Sequence, residues 1–297
     1  MQSNETIVIV GAGWTGRQIA GQMLTHGLKV LLCDPYPPAL QASRDWILEN
    51  LDRFAQDGHW PQFTPQQLDS NLQLLELESL IDLAPSLQEV ELVLESVPEL
   101  AALKRRLLKR LANAFDAHTI LASNSSYFVP STFSEHLRFP QRYAHLHFHV
   151  PIWKATVVDV AAAPETSSET LDRLSRLAIK IGQTPIVQTV ENSGYIFNAM
   201  LKSVLLSALQ LLDKGVADPQ RIDLAWTKAT GMPVGPFGIM DQIGLDLMLQ
   251  TMSNARFVEG DQIWAPLIAR IEPLVAQGHL GVKTGQGFFK YPATTCE

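Results

Sequence analysis

The stretch TIVIVGAGWTG, residues 6–16, decides the fold of this chain. Its first five residues are apolar or β-branched, which predicts a buried strand, and residues 14–26 follow a helical pattern. Between them, Gly11 permits a tight turn, Gly13 lets the backbone approach a pyrophosphate, and Gly16 lets the helix pack closely on the strand. This order of strand, G-x-G-x-x-G turn and helix predicts a dinucleotide-binding unit; a glycine-rich turn of another α/β protein is the alternative.

A second predicted strand, residues 29–33, ends at an acid, Asp34. A carboxylate at this place can accept hydrogen bonds from the ribose hydroxyls of an adenosine, and it repels a 2′-phosphate. Neither Pro35 nor Tyr36, the next two residues, is an arginine that could neutralise such a phosphate. We therefore predict NAD, rather than NADP, as the cofactor.

Apolar runs alternate with helical patterns through the first half of the chain. Alternation of this kind predicts an α/β fold, a Rossmann-type doubly wound parallel sheet with helices on both faces. Further strands are predicted at residues 72–75, 92–95, 120–123, 143–149, 157–160 and 184–187, and further helices at 39–54, 100–114 and 168–181.

The pattern changes near residue 190, after which no convincing strand occurs. Apolar residues at helical spacing predict helices at residues 195–214, 219–230, 238–256 and 262–277. We therefore predict two domains: an NAD-binding domain at residues 1–190, and an all-helical C-terminal domain at residues 191–297.

Composition excludes several classes of partner. The chain has 297 residues and a net charge of -7, and it contains no long basic stretch, so we expect no nucleic-acid partner. No apolar run reaches the length of a membrane span, which argues against a membrane partner. Residues 1–10 show no secretory signal, and Cys33 and Cys296 have neither disulfide nor metal spacing, so we expect a cytoplasmic protein.

Three histidines, His145, His147 and His149, alternate on one predicted strand and so point to one face. Imidazoles suit zinc or iron, but no Cys or acidic residue nearby has ligand spacing, so we predict no metal. We interpret His145 and His149 as hydrogen-bonded core residues. One histidine is a candidate general acid/base, with Asp159, on the next predicted strand, as the carboxylate that orients it.

Short polar residues provide further candidates. Asn124 and Ser126 follow a predicted strand, where open α/β sheets bind ligands; turn chemistry favours the same residue types. Asn198 opens the helical region within an apolar sequence, where a buried amide needs a hydrogen-bond partner. It is either a substrate contact or a hydrogen bond at a domain interface.

Over nearly its whole length the chain resembles the short 3-hydroxyacyl-CoA dehydrogenases. The resemblance rests on GAGWTG, ESVPE with a lysine five residues later, SNSS, LHF with an acid 12 residues on, SGYIFN, GMPVGPF and KTGQGFFKY. It implies a Rossmann-type domain followed by a helical dimerisation domain. It therefore implies an NAD-dependent enzyme acting on a 3-hydroxy or 3-oxo small molecule, and a homodimer.

The resemblance also assigns roles to residues. His147 would be the general acid/base and Asp159 its orienting carboxylate, while Ser126 and Asn198 would hydrogen-bond the substrate oxygen. The residues at the nicotinamide half of the cofactor would be Asn124, Glu99 and Lys104. Without the resemblance, Lys104 is equally one of a group of cations on a solvated helix face, together with Arg105, Arg106, Lys109 and Arg110.

Three positions qualify the resemblance. The family usually has Glu at the place of Asp159, so a shorter acid requires closer strands or a bridging water. It commonly has Asn at the place of Val150, so one hydrogen bond to the ligand is expected to be missing, worth about 0.5–1.5 kcal/mol. At Trp153 the chain resembles the diketoreductase-like members of the family and not the fatty-acid enzymes.

The substrate class is predicted from charge. Residues 39–80 hold two basic and seven acidic residues, a poor field for the phosphates of CoA. We therefore predict a small 3-hydroxy acid, ester or diketone, with a 3-hydroxyacyl-CoA as the alternative. Two other interpretations stay open: a non-catalytic NAD-binding relative, and a β-hydroxyacid enzyme using a helix lysine such as Lys202.

Overall fold

The structure, a computed structural model, describes residues 5–57, 61, 63–87, 89–259 and 261–292. The chain divides into two compact units, the first ending at Tyr195 and the second beginning at Ile196. The first is an α/β unit and the second is helical, as predicted.

An eight-stranded sheet forms the centre of the first unit, in the order β3-β2-β1-β4-β5-β6-β7-β8. The order reverses at β1 and β4, so a crevice opens at the carboxyl ends of these strands, where doubly wound sheets bind ligands. The strands are β1 (Thr6–Val10), β2 (Lys29–Cys33), β3 (Leu72–Leu75), β4 (Val90–Glu95), β5 (Ile120–Ser123), β6 (Tyr143–Phe148), β7 (Val157–Ala162) and β8 (Thr184–Gln188).

Helices cover both faces of the sheet. They are α1 (Trp14–Thr25), α2 (Pro37–Asp57), α3 (Pro65–Asn71), α4 (Leu77–Leu83), α5 (Ala101–Ala114), α6 (Ser131–Ser134) and α7 (Ser168–Lys180). One buried cluster joins the sheet to α1, α2 and α7 through residues such as Ile19, Ile47 and Leu174. A second cluster, with Leu80 and Leu111, joins the opposite face to α4 and α5.

The sheet differs from the prediction at one pair of strands. β6 and β7 are antiparallel, whereas the other neighbouring strands are parallel. Only residues 149–156 connect the two, and a parallel pair needs a crossover of a dozen residues or more. The chain therefore turns back directly. The sheet is dominated by parallel pairs but is not wholly parallel.

The second unit contains α8 (Phe197–Asp213), α9 (Pro219–Thr230), α10 (Pro236–Ile243), α11 (Leu245–Glu259) and α12 (Asp261–Ala276). Its core includes Leu209, Phe237 and Ile271. The single helix predicted at residues 238–256 is wrong, because Gly244, at φ 101°, separates α10 from α11. Among the described residues, no helix has the length and apolar character needed to cross a bilayer.

Candidate active site

The antiparallel β6–β7 pair brings an imidazole and a carboxylate together. The register places His147 directly opposite Asp159, and 3.1 Å separates His147 Nδ1 from Asp159 Oδ2. Both side chains are almost fully buried, at 4% and 1% exposed. The shorter acid therefore reaches the imidazole directly, because opposed residues of an antiparallel pair bring their side chains within contact. The expected alternative of a bridging water is unnecessary.

Asp159 accepts hydrogen bonds from three side chains. His147 and His149 approach Oδ2 at 3.1 and 2.8 Å, and Gln188 Nε2 donates to Oδ1 at 3.2 Å. Burial alone raises the pKa of Asp159, but the hydrogen bonds from the two histidines outweigh burial, and the net pKa is lowered. The carboxyl group is therefore ionised at neutral pH.

The ionised carboxylate selects the tautomer of His147. Since a carboxylate only accepts, Nδ1 of His147 carries the proton and Nε2 presents a lone pair. Ser126 Oγ lies 3.1 Å from that Nε2 and donates to it. Burial lowers the pKa of His147, although Asp159 acts in the opposite direction. His147 is thus a neutral base, oriented on one side and open to a hydroxyl on the other.

Tyr195 is a site residue that the sequence analysis missed. Its ring stacks on His147 with centroids 4.7 Å apart and planes 16° apart, and its hydroxyl donates to the backbone carbonyl of Ser125 at 2.5 Å. We predicted Tyr195 as the start of a helix, but it has φ 55° and α8 begins at Phe197. The matched sequence SGYIFN was the available signal.

The other two histidines have different surroundings. His145 is fully buried, and its two ring nitrogens lie 3.0 Å from the hydroxyls of Tyr195 and Tyr143, in agreement with the predicted core role. The core interpretation of His149 is wrong: its side chain is 12% exposed and bonds to Asp159 in the site. The difference arises because β6 ends at Phe148, so His149 lies at the open end of the strand.

Glu99 and the turn after β5 form a connected group. The Glu99 carboxylate accepts from Ser125 Oγ at 2.5 Å and from the backbone N–H groups of Ser126 and Tyr127 at 3.1 and 2.9 Å. Asn124 Oδ1 accepts from the backbone N–H of Phe148 at 2.8 Å, which joins the turn to β6. The segment bearing Ser126 is therefore held beside His147, and the predicted cofactor contacts of Glu99 and Asn124 stay predictions.

Lys104 is not on a solvated face. It is 1% exposed, and its Nζ lies 2.7 Å from Glu95 Oε1, 3.1 Å from the Val97 carbonyl and 3.2 Å from Glu99 Oε2. Glu95, which sequence analysis did not identify, is fully buried and also accepts from Ser123 Oγ at 2.6 Å. The solvated-face alternative is therefore wrong, because the apolar side of α5 carries this lysine against the sheet.

The glycine-rich turn has the geometry of a dinucleotide cradle. Gly11 has φ 115°, and a Cβ there would lie 2.5 Å from the Ser96 carbonyl oxygen. A Cβ on Gly16 would clash with the Gly11 carbonyl, whereas one on Gly13 would have no atom within 4 Å. The turn is thus closed toward the sheet and open at Gly13, which fits a bound pyrophosphate.

Asp34 lies beside this turn. Its Oδ2 accepts from the backbone N–H of Ala12 and its Oδ1 from that of Tyr36, both at 2.9 Å.

Asn198 lies in the first turn of α8, in the second unit, and is half-buried. Its predicted substrate contact stays a prediction.

The structure brings two histidines and an acid together as a possible group of metal ligands. Spacing along the chain shows no acidic partner near the histidines, but one ligand atom each from His147, His149 and Asp159 lies within 4.8 Å of the others. The antiparallel register creates this cluster, and spacing along the chain does not reveal it. Because hydrogen bonds already join the three side chains, the absence of a metal stays our prediction.

Comparison with known proteins agrees with the resemblance seen in the motifs. The family model described as "3-hydroxyacyl-CoA dehydrogenase, NAD binding domain" matches residues 6–191, and that of the C-terminal domain matches residues 194–291. A mitochondrial hydroxyacyl-coenzyme A dehydrogenase of Rattus norvegicus is 31% identical over 289 residues, which cover 96% of this chain and 90% of that protein.

Two solved structures are similar over 98% of this chain and 100% of theirs. A diketoreductase is 30% identical with a TM-score of 0.86, and an (S)-3-hydroxybutyryl-CoA dehydrogenase of Ralstonia eutropha is 27% identical with a TM-score of 0.84. The chain belongs to the 3-hydroxyacyl-CoA dehydrogenase family and is an NAD-dependent oxidoreductase.

Proposed function

We propose that the enzyme interconverts a 3-hydroxy and a 3-oxo compound, with His147 as its general acid/base. The observation that supports this proposal is the hydrogen-bonded series from Ser126 through His147 to Asp159, with both distances 3.1 Å. In this series His147 is a base with a defined tautomer, and the Asp159 carboxylate can stabilise its protonated form. The Ser126 hydroxyl can hydrogen-bond the substrate oxygen as negative charge develops on it.

In the oxidation direction, His147 Nε2 takes the proton of the substrate hydroxyl. Asp159 then stabilises the imidazolium that forms. Ser126 and Asn198 are proposed to hydrogen-bond the substrate oxygen. In the reduction direction the protonated His147 returns the proton to that oxygen.

NAD fits the glycine-rich turn, which is open at Gly13 and faces the acid Asp34. When bound, it accepts or supplies the hydride at its nicotinamide ring. We propose that Gly11, Gly13 and Gly16 shape the pyrophosphate site and Asp34 binds the adenosine ribose. Glu99, Asn124 and Lys104 would contact the nicotinamide half, and Lys104 also lies 3.2 Å from Glu99 Oε2.

We propose a small 3-hydroxy acid, ester or diketone as the substrate. The two basic residues in residues 39–80 are already paired: Arg44 lies 2.5 Å from Asp69, and Arg53 lies 3.6 Å from Asp57. Each of them therefore already faces an acid, which weakens the attraction of this surface for the phosphates of CoA. The similar diketoreductase structure, named for a reductase of diketones, also supports a small substrate.

A 3-hydroxyacyl-CoA is the second candidate, since the family model and the relative from Rattus norvegicus are named for such substrates. A substrate panel in the reduction direction decides between them: acetoacetyl-CoA, acetoacetate, ethyl acetoacetate and a 3,5-dioxo ester, each with NADH and with NADPH. We expect kcat/KM for the best small compound to equal or exceed that for the thioester. A preference for the thioester of about 100-fold or more, about 2.7 kcal/mol, would contradict the small-substrate proposal.

We also propose a cytoplasmic homodimer, with residues 1–190 binding NAD and residues 191–297 binding substrate and forming the dimer. Large apolar side chains on the second unit are exposed, including Met200, Leu224 and Leu247 at 59, 55 and 51%. Exposed apolar surface of this kind is common at subunit interfaces. Light scattering should give the mass of two chains, and a monomeric mass would contradict the dimer. Cell fractionation tests the location.

A further inference from the structure

Arg17, which follows the glycine-rich turn on α1, is held by aromatic rings. Its guanidinium carbon lies 4.6 Å from the ring centroid of Trp14 and 4.5 Å from that of Trp46. Trp46 in turn lies 6.0 Å from Trp153. Such contacts hold a guanidinium in place while leaving its hydrogen-bond donors unused.

No carboxylate or carbonyl within the described ranges pairs with Arg17. Its Nε is buried without a hydrogen-bond partner, and the residue as a whole is half-buried. Burial lowers the pKa of Arg17, but a guanidinium remains charged at neutral pH. The side chain is therefore a fixed, partly desolvated cation that an anionic ligand would stabilise.

Neighbouring cations on the same surface differ from Arg17. Arg44 and Arg53 have the acid partners described above, and Lys154, next to Trp153, lies 3.5 Å from Asp57. A ligand with several phosphates would therefore find its charge complemented by one guanidinium. A single carboxylate matches the two terminal nitrogens of one guanidinium.

The position of Arg17 connects the cofactor turn to the candidate base. The next residue, Gln18, accepts through Oε1 from the backbone N–H of Ile152 at 3.1 Å. Ile152 lies five residues after His147, on the segment that leaves β6. Arg17 thus follows the pyrophosphate turn directly, and its neighbour Gln18 contacts the segment that follows the histidine strand.

We propose that Arg17 is the anion-binding residue of the substrate site, and that it pairs with the carboxylate of a small 3-hydroxy or 3-oxo acid. This inference rests on the proposed function and narrows it from acids, esters and diketones to free acids. A bidentate pair would orient the acid, with its C3 oxygen directed at His147.

The test compares an acid with its ester in the full-length enzyme. Reduction of acetoacetate and of ethyl acetoacetate is measured for wild type, Arg17→Met and Arg17→Lys. We expect Arg17→Met to raise KM for acetoacetate about 10- to 100-fold and to leave KM for the ester unchanged. Arg17→Lys should show a smaller rise, because it keeps the charge and lacks the planar fork. Arg44→Met removes a neighbouring charge that is already paired, and should change neither KM.

An equal rise in KM for acetoacetate and for ethyl acetoacetate in Arg17→Met would overturn the inference. A loss of NADH affinity in Arg17→Met with unchanged KM for acetoacetate would also overturn it, and would place Arg17 at the cofactor pyrophosphate instead. If Arg17→Met fails to fold, Arg17→Lys decides, through the ratio of its KM for acetoacetate to its KM for ethyl acetoacetate compared with the same ratio for wild type.

A wild-type enzyme that reduces none of the 3-oxo compounds would contradict the proposed function itself. Binding of acetoacetate, followed by intrinsic tryptophan fluorescence, then tests Arg17 separately. Loss of acetoacetate binding in Arg17→Met supports the anion site, and unchanged binding overturns it.

Discussion

His147 and Asp159 face each other across the antiparallel pair β6–β7, with 3.1 Å between Nδ1 and Oδ2. The backbone ladder therefore sets the geometry of this pair, and no mobile loop is needed to bring its members together. A short acid suffices because the two residues are in register. His149 and Gln188 donate to two further acceptor positions of the carboxylate.

Asp159→Glu, which introduces the usual residue of the family, should impair this enzyme. Asp159 is 1% exposed and makes three side-chain contacts, so an added methylene overpacks the site at a cost of about 1–3 kcal/mol. We expect a lower melting temperature and a lower kcat, with Asp159→Asn as the comparison that removes the charge and keeps the size. An increase in kcat for Asp159→Glu would mean that the strands lie farther apart than the structure shows.

His147→Gln should lower kcat by about 10²–10⁴-fold, because it removes the group proposed to transfer the proton. A nearly normal rate would transfer the role of base to His149 or His145.

The pH dependence of the wild type should show the environment of His147. Burial lowers its pKa below the ordinary value of 6.5, and oxidation uses the neutral form. The acid limb of kcat/KM for oxidation should therefore lie below pH 6.5 and should be absent from the residual activity of His147→Gln. As pH falls below 6.5, the unfolded chain binds the proton first, so this histidine lowers the stability of the folded state in acid. An acid limb above pH 6.5 would contradict the burial seen here.

Lys104→Met should destabilise the first unit by about 3–5 kcal/mol, because it leaves the buried Glu95 without its cation. Urea unfolding measures the loss, and adding Glu95→Gln to the same chain should recover part of it. A normal free energy of unfolding with weaker NAD binding would show that Lys104 acts on the cofactor and not through Glu95.

Asp34→Ser should shift cofactor preference toward NADP, because it removes a charge that repels the 2′-phosphate. We expect the ratio of kcat/KM for NADP to that for NAD to rise by about tenfold or more. Asp45→Ser removes an exposed acid of α2 and serves as the matched control. An unchanged ratio would show that Asp34 does not face the ribose.

Dialysis against a chelator should leave activity unchanged, although His147, His149 and Asp159 could together hold a metal ion. Their mutual hydrogen bonds satisfy the site, and proton transfer by His147 needs no ion. Metal analysis of the purified enzyme checks the same point. Activity that is lost on dialysis and restored by Zn²⁺ would contradict the metal-free site.

Short-range patterns were sufficient to predict much of this protein. The strand, glycine-rich turn and helix of residues 6–16, the acid at Asp34 and the change to helices near residue 190 follow from periodicity and spacing over a few residues. These features depend on local backbone preferences and on which face of an element is apolar, so the sequence alone contains them.

Only the tertiary structure decided which distant side chains meet. Tyr195 stacks on His147, Glu95 pairs with Lys104, and Trp46 packs on Arg17, and periodicity over a few residues predicts none of these contacts. The direction of β7 is different, because the short connection between the predicted strands 143–149 and 157–160 already excludes a crossover. Burial and pairing of this kind are properties of the packed chain, because the stability of each contact depends on neighbours that other elements supply.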